Sequence, residues 1–87
     1  MKTSKSMASL VTGEAATILA VAHPSRAMES RLRLLGFSEG SAVRRVGESP
    51  DGKMISFSVM GAVIALRDVD SSYVSVMPVR HKSEGCE

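Results

Sequence analysis

Residues 29–40, ESRLRLLGFSEG, change structural character within a few positions, and this change limits what the chain can fold into. The first half patterns as a charged amphipathic helix. At about 100° per residue, Met28, Leu32 and Leu35 share one stripe, while Arg26, Glu29, Ser30 and Arg33 take the opposite arc. Ser25 is placed to cap this helix, and Glu29 lies near its first turn, where a negative charge complements the helix dipole. Gly36 stands where a left-handed residue is wanted to end the helix. Phe37, the next residue, can then fold back on Leu32, the apolar contact of a Schellman ending. Gly40 supplies a second positive-φ position, after which a β-like alternation begins. The pattern demands one short helix led through two glycines into a strand.

The flanking segments are short, apolar and punctuated by turn residues. EAATILAVA, between Gly13 and His23-Pro24, has the length of a buried strand carrying Ile18, Leu19 and Val21. SAVRRVGES alternates, with Arg44 and Arg45 as a solvated pair, and SPDG is a strong turn through Pro50 and Gly52. In MISFSVM, Ile55, Phe57 and Val59 point one way and Ser56 and Ser58 the other; Gly61 breaks the run and AVIAL returns, so residues 54–67 form a hairpin. RDVDSS is either a short turn or one helical turn capped by Asp68, and YVSVM is a closing strand ended by Pro78. Gly13, Gly36, Gly40, Gly52 and Gly61 are the expected turn positions. Strands this few and short bury edges and faces together only by curling. The expected fold is therefore mainly β, a small barrel of about five strands with one short α-helix after the first strand, plugging an open end.

A chain of 87 residues is one domain and buries only about 60% of the surface its unfolded form exposes. With 44% hydrophobic residues it can nevertheless hold a core. Residues 1–8 are expected to be a disordered leader, 9–79 the domain and 80–87 a flexible tail. Cys86 is the sole cysteine, which excludes an intrachain disulfide and suits a reducing compartment. No apolar run approaches the roughly 20 residues of a membrane helix, so a soluble, cytoplasmic protein is expected. The net charge is +2, but from Gly13 to Met77 seven basic residues face seven acidic ones, so no nucleic-acid partner is expected. Phe37, Phe57 and Tyr73 are too few for an aromatic-lined peptide groove or for base stacking.

No nucleophile elbow, phosphate loop or His-pair spacing is present, and no catalytic residue is expected. His23, His81 and Cys86 would have to converge with carboxylates to hold a metal; they are expected to be loop residues facing solvent, without a metal site or cofactor. Met28, Met54, Met60 and Met77 are expected to fill core gaps. On the helix, Ala27 and Leu34 flank the apolar stripe. Either Leu34 is buried as well, or it belongs to a partner-facing patch flanked by Arg31 and Arg33. Arg44 and Arg45 could complement an acidic partner surface.

The succession Leu10, Gly13, Ile18, RLRLLGFSEG, Val43, VMGAVIALR (with Gly61, Ile64, Leu66 and Arg67 in register) and YVSV resembles the FeoA family over residues 10–77. The resemblance implies an SH3-like barrel with a non-enzymatic role. It would be a cytoplasmic accessory of ferrous iron uptake that binds and regulates FeoB, a membrane transporter with a GTPase domain. It would reach the inner face of the membrane through that partner, with weak self-association left open. Ala27, Arg31, Arg33, Leu34, Arg44 and Arg45 are then the partner-binding candidates. Glu39 stands where the family often has proline and should loosen the turn slightly; Ser71 and Ser72 replace an alanine-containing turn. The same module forms the tail domain of iron- and manganese-dependent repressors. The alternative role is thus a stand-alone regulatory module acting through a transcription factor, and a third is a metal carrier.

Overall fold

In the computed structural model, which describes residues 4–79, every expected strand is present and a further one precedes them. β1 is Lys5–Ser6, followed by a 3-10 turn at Met7–Ser9; β2 is Ala15–Val21, α1 Arg26–Leu34, β3 Ala42–Glu48, β4 Met54–Val59, β5 Ala62–Arg67, α2 Asp68–Ser71 and β6 Val74–Pro78. The expectation of five strands with one helix after the first is thereby corrected. The sheet has six strands, α1 follows the second, and a second helix follows the fifth. All pairings are antiparallel, in the order β1-β6-β2-β3-β4-β5, leaving β1 and β5 as edges.

The expected leader is also corrected, from Lys5 onward. Lys5 pairs with Val76, and Met7 and Leu10 are wholly buried. Two apolar side chains three residues apart in a polar stretch show no period on their own. They find their place only in the apolar cluster that the strands and Leu32 build, because the sheet is open and not the closed barrel expected. The 3-10 turn lies against β6 and α2, and α2 lies against β5 and β4, so the two sheet edges are bridged by short helical segments. Asp68 is the first residue of α2 rather than its cap. Residues 80–87 lie outside the described residues.

The helix-to-strand passage has the expected chemistry. Ser25 Oγ accepts from the Met28 amide at 3.2 Å. At the other end the Gly36 amide donates to the Arg33 carbonyl (3.1 Å) and the Phe37 amide to the Leu32 carbonyl (2.9 Å), the two bonds of a Schellman motif, with Gly36 at φ +111°. Leu32 and Phe37 are both wholly buried, and Phe37 meets Phe57 edge to face, centroids 6.3 Å apart.

Two bulges decide which apolar residues reach this core. The β2–β6 register shifts between Ile18 and Ala20, and the β3–β4 register between Arg45 and Gly47. The extra residues are Leu19 and Val46, and both are exposed, although Leu19 has the side chain expected of a fully buried strand. The β4–β5 connection is a two-residue turn of Met60 (φ +50°) and Gly61 (φ +82°), a type I′ pattern whose first position disfavours methionine.

Substituting Gly36→Ala should lower stability by about 1–3 kcal/mol in urea unfolding, because alanine resists this backbone conformation. Its Cβ would also stand 2.7 Å from Met60 Cγ. Met60→Asn should raise stability by roughly 0.5–1 kcal/mol in the same assay, since asparagine adopts positive φ readily.

Candidate partner-binding surface

α1 rotates its stripe inward as patterned: Leu32 reaches the core, and Met28 and Leu35 pack half-buried against it. Leu34 follows two residues after Leu32, about 200° around the helix, and therefore points outward. It is 88% exposed, which settles its alternatives in favour of the surface. Ala27, about two turns earlier, and Arg31 between them are also exposed.

The remaining basic candidates divide sharply. Arg33 is engaged within the chain: Nη1 donates to Glu39 Oε1 (2.5 Å), and Nη2 to Glu39 Oε2 and Glu29 Oε2 (both 3.1 Å). Glu39 thus clamps the turn to the helix instead of loosening it. The Arg33 guanidinium holds the Glu39 carboxyl at about 2, and the two carboxylates push Arg33 further above its already high value. Arg44 is exposed and donates to the Gly13 carbonyl at 2.6 Å.

Arg45 is not a solvated partner of Arg44. Adjacent strand residues face opposite ways, so when Arg44 points out Arg45 must point in. Its side chain is only 11% exposed, with Nη1 on the Leu10 carbonyl (2.6 Å) and Nη2 on Glu48. It ties β3 to the segment after the 3-10 turn.

His23 is likewise not a free loop residue, being 10% exposed. The Ser25 amide donates to Nδ1 at 3.0 Å, so Nδ1 carries no proton and Nε2–H donates to Asp70 Oδ1 at 2.9 Å. The ring stands edge-on to Tyr73, centroids 4.8 Å apart. This pin joins the start of α1 to α2. The partners are 47 residues apart, and no local pattern announces them.

Among the described residues, no three of His, Cys, Asp and Glu come together as a ligand group. His81 and Cys86 lie outside the described residues. Of the methionines expected in the core, Met28 and Met77 are half-buried, but Met54 and Met60 are exposed; Met7, in the expected leader, is the buried one. Between α1 and the edge strand β5 runs an open groove of about 510 Å³. Its walls include Met28, Arg31 and Leu35 on the helix side and Ile64, Leu66 and Arg67 on the strand side. Sequence patterning could not show it, because it is a gap between an edge strand and a helix more than twenty residues upstream.

The FeoA domain matches residues 5–78. The chain belongs to the FeoA family. FeoA of Stenotrophomonas maltophilia, solved with zinc and described as a prokaryotic SH3 domain protein, is 30% identical. The likeness covers 82% of this chain and 87% of that one, with a TM-score of 0.73. A FeoA-like protein of Clostridium acetobutylicum is 15% identical over 94% of each chain, TM-score 0.81. A manganese-dependent transcriptional repressor solved with manganese is 18% identical over 91% of this chain but 38% of its own, TM-score 0.81; the likeness is one of fold. No curated protein sequence matches. The six-stranded antiparallel sheet thus has an SH3-like fold.

Since Glu39 titrates lower in the fold than its usual 4.5, its pair with Arg33 contributes stability above pH about 4.5 and loses it as pH falls toward about 2. The difference in melting temperature between the wild-type chain and Glu39→Gln should therefore be small at neutral pH, shrink across that window, and be weakened by salt.

Proposed function

We propose that this FeoA-family chain is a non-enzymatic accessory protein of ferrous iron uptake. It binds the cytosolic side of an FeoB-type membrane transporter and regulates it. Iron is the transporter's cargo in this reading, and the present chain contributes a surface. Membership of the FeoA family supports the iron-uptake setting. The observation that carries a binding role is Leu34, a large apolar side chain held almost fully in water on a well-anchored helix, beside Ala27 and Arg31. Keeping such a residue exposed favours association over solubility. No helix among the described residues is long and apolar enough to cross a membrane, so attachment to the membrane would run through the partner.

Arg33, expected to flank the patch, is less suited to a partner than Arg31, because docking would have to displace two carboxylates. Arg44 remains a peripheral candidate and Arg45 an internal tie. A second reading, a stand-alone module acting through a transcription factor, draws on the likeness to the repressor at the level of fold.

Co-purification of the tagged chain with membranes holding its transporter tests the first reading, and capture of a DNA-binding protein in its place would favour the second. Leu34→Asp should weaken capture by at least tenfold while changing unfolding free energy by no more than about 0.5 kcal/mol, as expected at an exposed position. Loss of capture with equal loss of stability would return Leu34 to a purely structural role.

A further inference from the structure

We propose that the groove between α1 and β5 receives an extended, acidic and apolar peptide segment as an added strand on β5. The inference rests on the binding role above and names the chemistry of the partner segment, which in that reading belongs to the transporter.

The two edges of the sheet are treated differently. β1 is two residues long, too short to template a neighbour. β5 is six residues, AVIALR, without proline, bulge or charge before its last residue. Its register with β4 starts at Val59–Ala62 across a two-residue turn, so those residues form a hydrogen-bonded pair, and Phe57–Ile64 and Ile55–Leu66 continue the alternation. Val63 and Ala65 must then direct their amides and carbonyls away from β4, and among the described residues neither finds a backbone partner outside the sheet. An exposed apolar strand with two free residues on its outer side is a template for pairing.

The groove supplies what a seventh strand would need beyond backbone bonds. Met28 and Leu35 from α1 and Ile64 from β5 pack on the core but stay half-exposed, and all three line the groove. A strand laid along β5 would set every second side chain on these three and remove their apolar surface from water. A helical or polyproline ligand would leave the Val63 and Ala65 groups unpaired, and the chain lacks the aromatic lining that a polyproline segment requires.

Charge decides the rest. Arg31 on the helix wall and Arg67 at the strand end form no ion pair among the described residues. The one carboxylate lining the groove, Asp70, is turned to His23. Carboxylates on the incoming strand therefore suit the site. A second copy of this chain suits it less: pairing β5 with β5 would bring two such arginine sets into one seam.

The test titrates an acetylated eight-residue peptide of alternating valine with glutamate or threonine into the full chain, followed by amide NMR. Val63, Ala65 and the α1 residues Met28 and Leu35 should shift. The same peptide N-methylated throughout should not bind, since it cannot donate to the edge. Ala65→Pro should abolish binding while leaving the fold intact, because the lost N–H points away from β4. Arg31→Glu, at an exposed position, should weaken binding at least several-fold whether or not the proline variant folds. The proposal is overturned by equal binding of the N-methylated peptide, by no binding at millimolar concentration, by shifts confined to another face, or by a chain dimer that Ala65→Pro dissolves. Transporter capture that survives Ala65→Pro, with peptide binding lost, would remove the groove as the docking site and leave the accessory role standing. Peptide binding without any transporter capture by the unaltered chain would do the reverse.

Discussion

The contact between Leu32 and Phe37 across Gly36 is the interaction on which the arrangement of this molecule depends. Both side chains are wholly buried, and Phe37 stands edge-on to Phe57 in β4, so the end of α1 is fixed to the sheet at one apolar point. Once Leu32 is pinned inward, helical geometry leaves no freedom for its neighbours. Met28 and Leu35 half-enter the core, Leu34 points to solvent and Arg31 falls between these faces. The positive φ at Gly36 makes that geometry cheap, and the Arg33–Glu39 clamp holds the next turn to the helix.

The rest of the structure bridges the two sheet edges with short helical segments but leaves the outer backbone of β5 unpaired among the described residues. The 3-10 turn packs on β6 and α2, α2 packs on β5 and β4, Arg45 ties β3 to the segment behind that turn, and His23 with Asp70 pins the start of α1 to α2. At β5, which α2 touches from its C-terminal end, no strand among the described residues pairs with the outer edge, and α1 stands off from it across the groove. Among the exposed apolar side chains, Leu34 on α1 and Val63 on β5 belong to the two elements that flank the groove.

Much of this was legible locally. The alternation of Ile55, Phe57 and Val59, the return through Gly61, the Ser25 cap and the Gly36 stop all concern residues within a few positions of one another, where backbone sterics and side-chain periodicity act directly. The misses share one cause. Met7 and Leu10 gain a place only when β6 and α2 arrive beside them; Leu19 and Val46 lose theirs because a partner strand forces a bulge. Arg45 and His23 turn inward because buried carbonyl and carboxylate oxygens from distant segments offer better partners than water in those positions.

Taken alone, the amino-acid order determined the approximate bounds of α1 and of β2 to β6, the inward faces of α1 and β4, and positive φ at the five turn glycines. These follow from the sterics and periodicity of neighbouring residues. Tertiary structure alone decided that a polar leader becomes an edge strand, that Leu34 stays in water while Met7 does not, and that β5 keeps a free edge beside a helix. Those outcomes turn on which segments meet, and the energy of such meetings is set by packing and hydrogen-bond partners that no short stretch of sequence contains.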